Sequence, residues 1–578
     1  MYKLYRNRVN RERKRLASRH LSNKMSELKA SDSGGWWKAI KEITGQSKKK
    51  NNLQPIADTV CDGDMQAFCD LINNAFVSVS ETLEPLEAKD PSVIPCPPLP
   101  DQYVISLESI EKLLSSLNCA KAMGPDGIPN WILKEHYKVL SGPVCSIINS
   151  SFRDSYVPNL WKSADVCPLP KVTNPTNVAK DFRPISLTPV LSKIAERFAR
   201  DLLLENISDS LDSRQFGSVK GSSTVHALVE MYHHWVTGVD VPGNIVRILL
   251  LDFRKAFDLV DHKLLLQKIS NSEPPQFLSD WITSFLTNRQ QRVKIGDVAS
   301  SWKSINGGVP QGTLLGPICF LLHINDLSLS CETFKYVDDS SVSEVCKGDA
   351  SNSKIQHAAN EASEWANTNL MKLNCDKTKE LLVDFRKNTT HVPNVIMSGT
   401  PIERVSCSKL LGVMISADLS WDNHIDYICG KGAQRLYFIR VLKRAGSDEH
   451  DLIAVYVSTI RSVLEYACEV WHPGLTHDQS RRVESIQKRA LKIIYPLVSY
   501  SDSLTASGLS TLAARRDTLC RKFFTAMLRP EHKLHHLIPD IRENIHDLRA
   551  ANQFPLPSLR TSRARRSLVN YGLFNYQC

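Results

Sequence analysis

No Cys-x-x-Cys pair occurs in the 578 residues, although there are fifteen cysteines, and no Cys/His cluster has the spacing of a zinc finger or knuckle. That scatter excludes a disulfide framework and a structural zinc site; the thiols read as small packed hydrophobes. Long apolar runs are missing too. The longest, Pro317–Leu322, falls far short of the roughly 20 residues that span a bilayer. A secretory signal is lacking, because basic residues continue where an apolar segment should begin. There is no internal repeat, and 42% hydrophobic with 23% charged residues is ordinary soluble usage, which excludes wholesale disorder. These absences predict an intracellular protein of the nucleus or cytoplasm, neither secreted nor membrane-bound. At this length it should hold about three to four units.

What is present is an uneven charge. The net +11 resides in the first 50 residues, which carry fifteen basic and four acidic side chains; the remainder balances at 57 against 57. A basic arm on a neutral body suits an anionic partner, nucleic acid being the simplest, and equally suits a solvated linker.

Patterning divides the chain. Residues 1–90 read as a basic helical connector, with Trp36, Trp37 and Ile40 as an apolar patch before Lys48–Lys50. Five prolines in Asp90–Asp101 predict a linker over 91–104. Helical spacing of Leu107, Ile110, Leu113, Leu114 and Leu117 opens a helix-rich segment, 105–244. In 245–416 the period shortens: Ile245–Leu251 suits a buried strand, and Arg292–Ile295 a half-exposed one. Phe334–Val337 and Ser340–Ser343 read as two strands, with Asp338 and Asp339 in the turn between them. The helical period returns in 417–500, where Leu452, Tyr456, Ile460, Leu464 and Ala467 form one stripe and Val483, Ile486, Ala490 and Ile493 another. The second carries Arg481, Arg482, Lys488, Arg489 and Lys492 on its outer side. Residues 501–578 read as a helical, basic tail whose end, from Arg560, has four arginines and no acid.

Three carboxylates stand out. Asp252 closes a buried strand, where an acid is costly unless paired or bound to a cation. Asp338 and Asp339 are adjacent and repel, which a hard divalent cation with oxygen ligands relieves. Brought together, they would make a pair of Mg²⁺ sites about 3.5–4 Å apart, suited to in-line displacement at phosphorus. An Asp-Asp dipeptide alone is weak support for this; a solvated turn explains it as well.

Nine stretches, in order, resemble the reverse transcriptases of non-LTR (LINE-type) retrotransposons, especially the jockey-like group. Lys121–Pro129 (KAMGPDGIP) resembles the N-terminal signature. Trp161–Lys162 through Pro168–Lys171 (PLPK) and Asp181–Leu187 (DFRPISL) resemble the fingers motifs, and Gln215-Phe-Gly217 with Ser223-Thr224 the next. Leu251–Asp258 (LDFRKAFD) with Val260-Asp-His262, Gly308–Gly312 (GVPQG) with Leu315-Gly-Pro317, and Tyr336-Val-Asp-Asp339 are similar to the catalytic blocks. Asn374 with Lys377-Thr-Lys379, then Lys409–Val413 (KLLGV), resemble the last two.

The resemblance implies an α+β right-hand polymerase, with fingers over 105–244 (the reverse transcriptase domain itself about 151–416), an antiparallel palm of about four strands over 245–416, and a helical thumb over 417–500. Asp252, Asp338 and Asp339 would bind two Mg²⁺ ions, with Mn²⁺ as a substitute. Phe257 would gate against a ribose 2′-hydroxyl. Gln311, Arg183 and Lys180 would hold the incoming nucleotide. Lys377 would protonate pyrophosphate, with Lys379 competing for that role. Leu410, Leu411 and Gly412 would grip the primer, and the basic helix around Arg481–Lys492 would lie along the template–primer phosphates. Partners would be an RNA template, a DNA primer and deoxynucleoside triphosphates, with no zinc, disulfide or membrane partner; the oligomeric state is not legible.

Some positions depart from the family. Val337 stands where Ala is common, a substitution expected to be mild because a β-branched residue fits a strand. Arg254 replaces a small Ser, and Ser218 and Gly221 replace bulkier or basic residues. The start, Tyr5–Asn10, resembles the connector that follows an endonuclease in full elements, so a truncation before that domain is the expectation. Arg563–Gln577 looks like the family's terminus. Two other readings stay open: a catalytically dead RNA-binding relic, and a maturase-like intron-RNA-binding protein. An RNA-templated RNA polymerase is disfavoured by Phe257.

Overall fold

In the computed structural model the described residues are 1–28, 33–45, 53–87, 98–348, 352–387, 391–541 and 554–576. The chain is a mixed α+β structure with antiparallel-dominated sheets. The Lys48–Lys50 run, most of the proline-rich stretch and the last two residues lie outside the described residues.

The central sheet has five strands in the order Glu403–Arg404, Lys379–Val383, Asn244–Leu251, Asp339–Lys347, Glu332–Tyr336. All pairs are antiparallel except the two-residue parallel edge. Asn244–Leu251 is paired on both sides and covered on both faces, which is why it reads as a nearly unbroken apolar run. Val246 and Ile248 enter one core with the helix Thr224–Gly238, while Leu249 and Leu251 enter another with Ala358, Ala359 and Ala362 of helix Ile355–Thr368. Those alanines let the helix lie close on the sheet. A buried network ties three strands: Arg247 donates to Glu380 at 2.7–2.8 Å and Arg404 donates to its other oxygen at 2.9–3.1 Å.

The second sheet departs from the expected division. Arg289–Ile295, in the segment assigned to the palm, runs parallel to Ser163–Pro170, which pairs antiparallel with Phe182–Leu187. Residues 289–305 therefore belong structurally with the fingers segment. So does part of the expected connector: Phe68, Cys69 and Ile72 of helix Met65–Val77 share a core with Val166, Phe182 and Val293. Asn73 accepts from Gln291 at 3.1 Å. Alternation on Arg289–Ile295 could show a strand but not its partner.

The apolar stretch at Pro317 lies in helix Gly316–Ile324, which is buried all round. Among the described residues no helix is long and apolar enough to cross a membrane. The expected stripe from Leu452 to Ala467 is interrupted. Helix Glu449–Val455 passes through a π-helical turn, Tyr456–Arg461, and Ala467 has a left-handed φ of 52°. All five stripe residues are nevertheless buried, because the wider turn keeps them facing the core.

Segments toward both ends also pack on the core. Ile40 is buried and Trp36 and Trp37 pack against the largest core. In the C-terminal region, Asp240 accepts from the backbone N–H groups of Arg560 and Thr561 at 2.8 Å, and Leu568, Val569 and Leu573 are buried. Within the segment expected to be a helical, basic tail, helix Leu568–Asn575 folds back on the core.

Candidate active site

Strand register brings the three aspartates to one edge. Leu251 pairs with Ser340, so continuing the ladder sets Asp252 opposite Asp339. Tyr336 pairs with Asp339, so the turn consists of Val337 and Asp338. Asp339 thus opens the second strand instead of sitting in the turn. Val337 occupies that turn at φ 60°, a conformation rare for a β-branched residue. Its substitution is not the mild, strand-compatible change expected; such strain costs roughly 1–3 kcal/mol and concentrates at functional sites.

The Gln-Phe-Gly motif holds that turn. The buried Gln215 Oε1 accepts from the N–H of Gly217 at 2.9 Å and of Val337 at 3.3 Å. Phe216 N–H donates to Lys335 C=O at 2.9 Å. A Cβ on Gly217 would fall 2.5 Å from Val337, so no side chain fits. On the other strand, the buried Lys335 ammonium donates to the carbonyls of Asn325 and Leu327 and pairs with Asp212 at 2.7 Å.

Asn374 and Thr378 orient the third carboxylate. Asn374 Nδ2 donates to Asp252 Oδ2 at 2.8 Å, its backbone N–H donates to Asp252 C=O at 2.8 Å, and Asp252 N–H donates to Thr378 Oγ1 at 3.3 Å. Burial raises the Asp338 carboxyl, with Asp252 adding to the rise and Arg183 opposing it. Burial, then Asp338 and Asp252, push Asp339 up to about 6. Two raised carboxyls beside a third, with oxygen-only donors, fit a hard divalent cation, whose charge would reverse those shifts. The three are spread around the site. Among the described residues the group with three ligand atoms within 4.8 Å of one another is the surface set Asp448, His450 and Asp451.

Near the acids lies a cluster of cations, of which Arg183 acts on Asp338. Burial, then Arg183, Lys377 and Lys255, push Lys171 below the usual lysine range, opposed by Asp258. Lys255 is lowered by burial, opposed by Asp258, and has a left-handed φ of 47°. Arg183 and Lys377 are exposed and reach this cluster. Lys379 does not: its ammonium donates to Asp376 C=O and Glu403 at 2.6 Å. Lys180 is exposed and its charge acts on Asp181. Lys171 and Lys255 were not singled out from sequence, though each stood in a quoted motif; only the fold gathers them with Arg183 and beside Asp258.

Gln311 Nε2 donates to Asp258 at 3.0 Å, and its C=O accepts from Ser186 N–H at 2.7 Å. Phe257 is half-buried and stacks on Phe320, centroids 4.8 Å apart; its C=O accepts from Val309 N–H at 2.8 Å. Leu411 and Gly412 form the turn of the hairpin Cys407–Leu410 and Val413–Ser416, both with positive φ, and Leu410 is buried. Tyr466 donates to Leu411 C=O at 2.8 Å, and its ring leaves no room for a Cβ at Gly412. On helix His477–Ile494, Arg481 is exposed and paired with Asp478 and Arg482 is paired with Asp426; Lys488, Arg489 and Lys492 are exposed as well.

Residues 169–415 match the family model of the reverse transcriptase (RNA-dependent DNA polymerase). Over 388 residues the chain is 27% identical to a probable RNA-directed DNA polymerase from transposon X-element of Drosophila melanogaster, covering 65% of this chain and 42% of that protein. It is 25% identical over 430 residues to the corresponding protein of transposon BS from the same fly, covering 72% and 46%. A third relative, the RNA-directed DNA polymerase from mobile element jockey, is 28% identical over 337 residues, covering 56% and 36%. The chain spans less than half the length of each.

Proposed function

We propose that this chain, which belongs to the reverse transcriptase family through residues 169–415, is an RNA-directed DNA polymerase of the non-LTR retrotransposon type, working inside the cell. Its reaction would be addition of deoxynucleotides to a primer 3′-end on an RNA template, with release of pyrophosphate. The observation that carries this reading is the convergence of Asp252, Asp338 and Asp339 at one sheet edge, with Arg183 acting on Asp338 and with Lys171 and Lys377 clustered about Arg183.

Mg²⁺ held by the three aspartates would supply charge neutralisation at the primer 3′-hydroxyl and the pyrophosphate. The chain's own residues supply the rest. Asn374 fixes the rotamer of Asp252 by its 2.8 Å hydrogen bond, so the carboxylate is placed before substrate arrives. Arg183, with its planar fork, and Lys171 grip the triphosphate; Lys377 Nζ holds the proton given to pyrophosphate. Phe257, backed by Phe320, closes the floor where a 2′-hydroxyl would sit. Gln311, oriented by Asp258, contacts the sugar from the opposite side. Residues 105–244 with 289–305 act as fingers, the central sheet as palm, Leu410–Gly412 as primer grip and 417–500 as thumb, in a right-hand arrangement.

Primer extension tests this directly. With RNA template, annealed DNA primer, deoxynucleotides and Mg²⁺, the wild type should extend and Asp338→Ala should not. If neither extends while both bind the duplex with steep salt dependence, the non-catalytic RNA-binding reading replaces this one.

A further inference from the structure

The turn proposed as primer grip is strained. Leu411 and Gly412 both have positive φ, 45° and 92°, the pattern of a type I′ hairpin turn. Glycine adopts that conformation freely, but a leucine there is disfavoured and persists only with support from its surroundings. The base of the hairpin has its own support. Met414 N–H donates to His424 Nδ1 at 3.3 Å, and Asn423 Nδ2 donates to Ser416 Oγ at 3.0 Å. At the tip the support comes from Tyr466, 55 positions beyond Leu411.

The Tyr466 hydroxyl is 2.8 Å from Leu411 C=O and 3.0 Å from Thr224 Oγ1. It has one proton, and a carbonyl can only accept. That proton therefore goes to Leu411, and Thr224 donates to the tyrosine oxygen. The ring closes the other side of the turn, because a Cβ on Gly412 would fall 2.8 Å from Tyr466 Cε1. Tyr466 is itself held in place. Its C=O accepts from Nε1 of the buried Trp471 at 3.0 Å, and the next residue, Ala467, is buried in a left-handed conformation.

Thr224 carries the contact to the central sheet. It begins the helix Thr224–Gly238, which shares a core with Val246 and Ile248 of the strand leading to Asp252. It also closes the stretch 215–224, whose other end holds the aspartate turn. There Gln215 Oε1 accepts from Val337 N–H, and Phe216 N–H donates to Lys335 C=O. The turn with Asp338 and the turn with Leu411 and Gly412 are thus tethered to one segment. Gln215 makes one tether; the chain of hydrogen bonds from Thr224 through Tyr466 to Leu411 makes the other.

We propose, on the polymerase reading above, that Tyr466 is a positioning residue: it fixes the primer-grip turn relative to the aspartates and so sets where the primer 3′-hydroxyl rests. Tyr466 lies in none of the nine motifs. Its hydroxyl acts through Leu411 and Thr224, so loosening it displaces the primer end and leaves the nucleotide-holding residues as they are. A displacement of about 1 Å at a reacting atom costs up to roughly a hundredfold in rate.

Single-turnover primer extension and duplex binding by the full chain test this. Tyr466→Phe keeps the ring and removes the hydroxyl. Its rate constant at saturating deoxynucleotide should fall about ten- to a hundredfold. The deoxynucleotide concentration for half-maximal rate, the duplex Kd and the urea midpoint should stay at wild-type values. Thr224→Val removes one link of the chain, so it should slow extension less, and not at all in the Tyr466→Phe background. An unaltered rate in Tyr466→Phe overturns the proposal and leaves the polymerase reading standing. Additive losses in the double variant overturn it too, since the two hydroxyls would then act separately. So does a loss spread over rate, nucleotide dependence and urea midpoint, which marks general destabilisation, or one confined to duplex affinity, which marks a binding contact. A wild type that extends no primer overturns the polymerase reading and this proposal with it.

Discussion

Asp339 shows how a residue's neighbours set its chemistry. Its carboxyl titrates near 6 because burial, Asp338 and Asp252 all oppose its charge. The folded pKa lies above the unfolded one, so the folded state takes up the proton first. In the metal-free protein, stability from this group is fully present below about pH 4 and is lost as pH rises through about 6. Chemical denaturation at pH 5 and 7.5 should show that loss, and Asp339→Asn should flatten it. A divalent cation held there would compete with the same proton, so Mg²⁺ affinity by calorimetry should fall as pH drops through about 6. Lys377 and Lys379 illustrate the converse. Two lysines two residues apart were indistinguishable in sequence, yet Glu403 and Asp376 occupy one and leave the other facing Lys171.

At the scale of elements, the paired aspartates are placed by a motif far from them in sequence. Gln215 supports the Val337–Asp338 turn, and Gly217 is tolerated only as glycine because Val337 lies 2.5 Å from where a Cβ would be. Gly217→Ala should therefore cost about 1–3 kcal/mol by urea denaturation and abolish primer extension, while the neighbouring Ser218→Ala changes neither. Beneath the sheet, Glu380 neutralises Arg247 and Arg404. Glu380→Gln leaves both guanidinium groups short of a charge and should destabilise by about 3–5 kcal/mol. Neither support could be read from local patterning: strand periodicity shows which face is inward, not which distant side chain completes a turn.

For the whole molecule, the composition suggested a basic arm, body and tail, and tertiary packing reassigns parts of each. Trp36, Trp37 and Ile40 seat the second helix on the core, and Leu568–Leu573 return the C-terminal region to it. On the basic surface of helix His477–Ile494 the charges of Arg481 and Arg482 are offset by Asp478 and Asp426. Duplex affinity should thus fall markedly, with a shallower salt dependence, in Lys488→Glu and Arg489→Glu, and change little in Arg481→Glu. Filter binding across a salt series separates these outcomes.

The amino-acid order by itself determined the buried strand ending at Asp252, the acid pair, the mixed α+β class and, through nine ordered motifs, the resemblance to the family whose model matches residues 169–415. Those are local or sequential properties: apolar period, dipeptide chemistry and spacing survive without coordinates. Tertiary structure alone decided that Asp338 turns while Asp339 begins a strand, that Val337 is strained, and that Lys171 and Lys255 cluster with Asp258. It also decided that strands within 289–305 join those of 163–187 in one sheet, against which helix Met65–Val77 packs, and that Arg289 is buried. Each depends on contacts between residues tens to hundreds of positions apart, where register, burial and charge pairing are settled by packing and not by the residue's own neighbours.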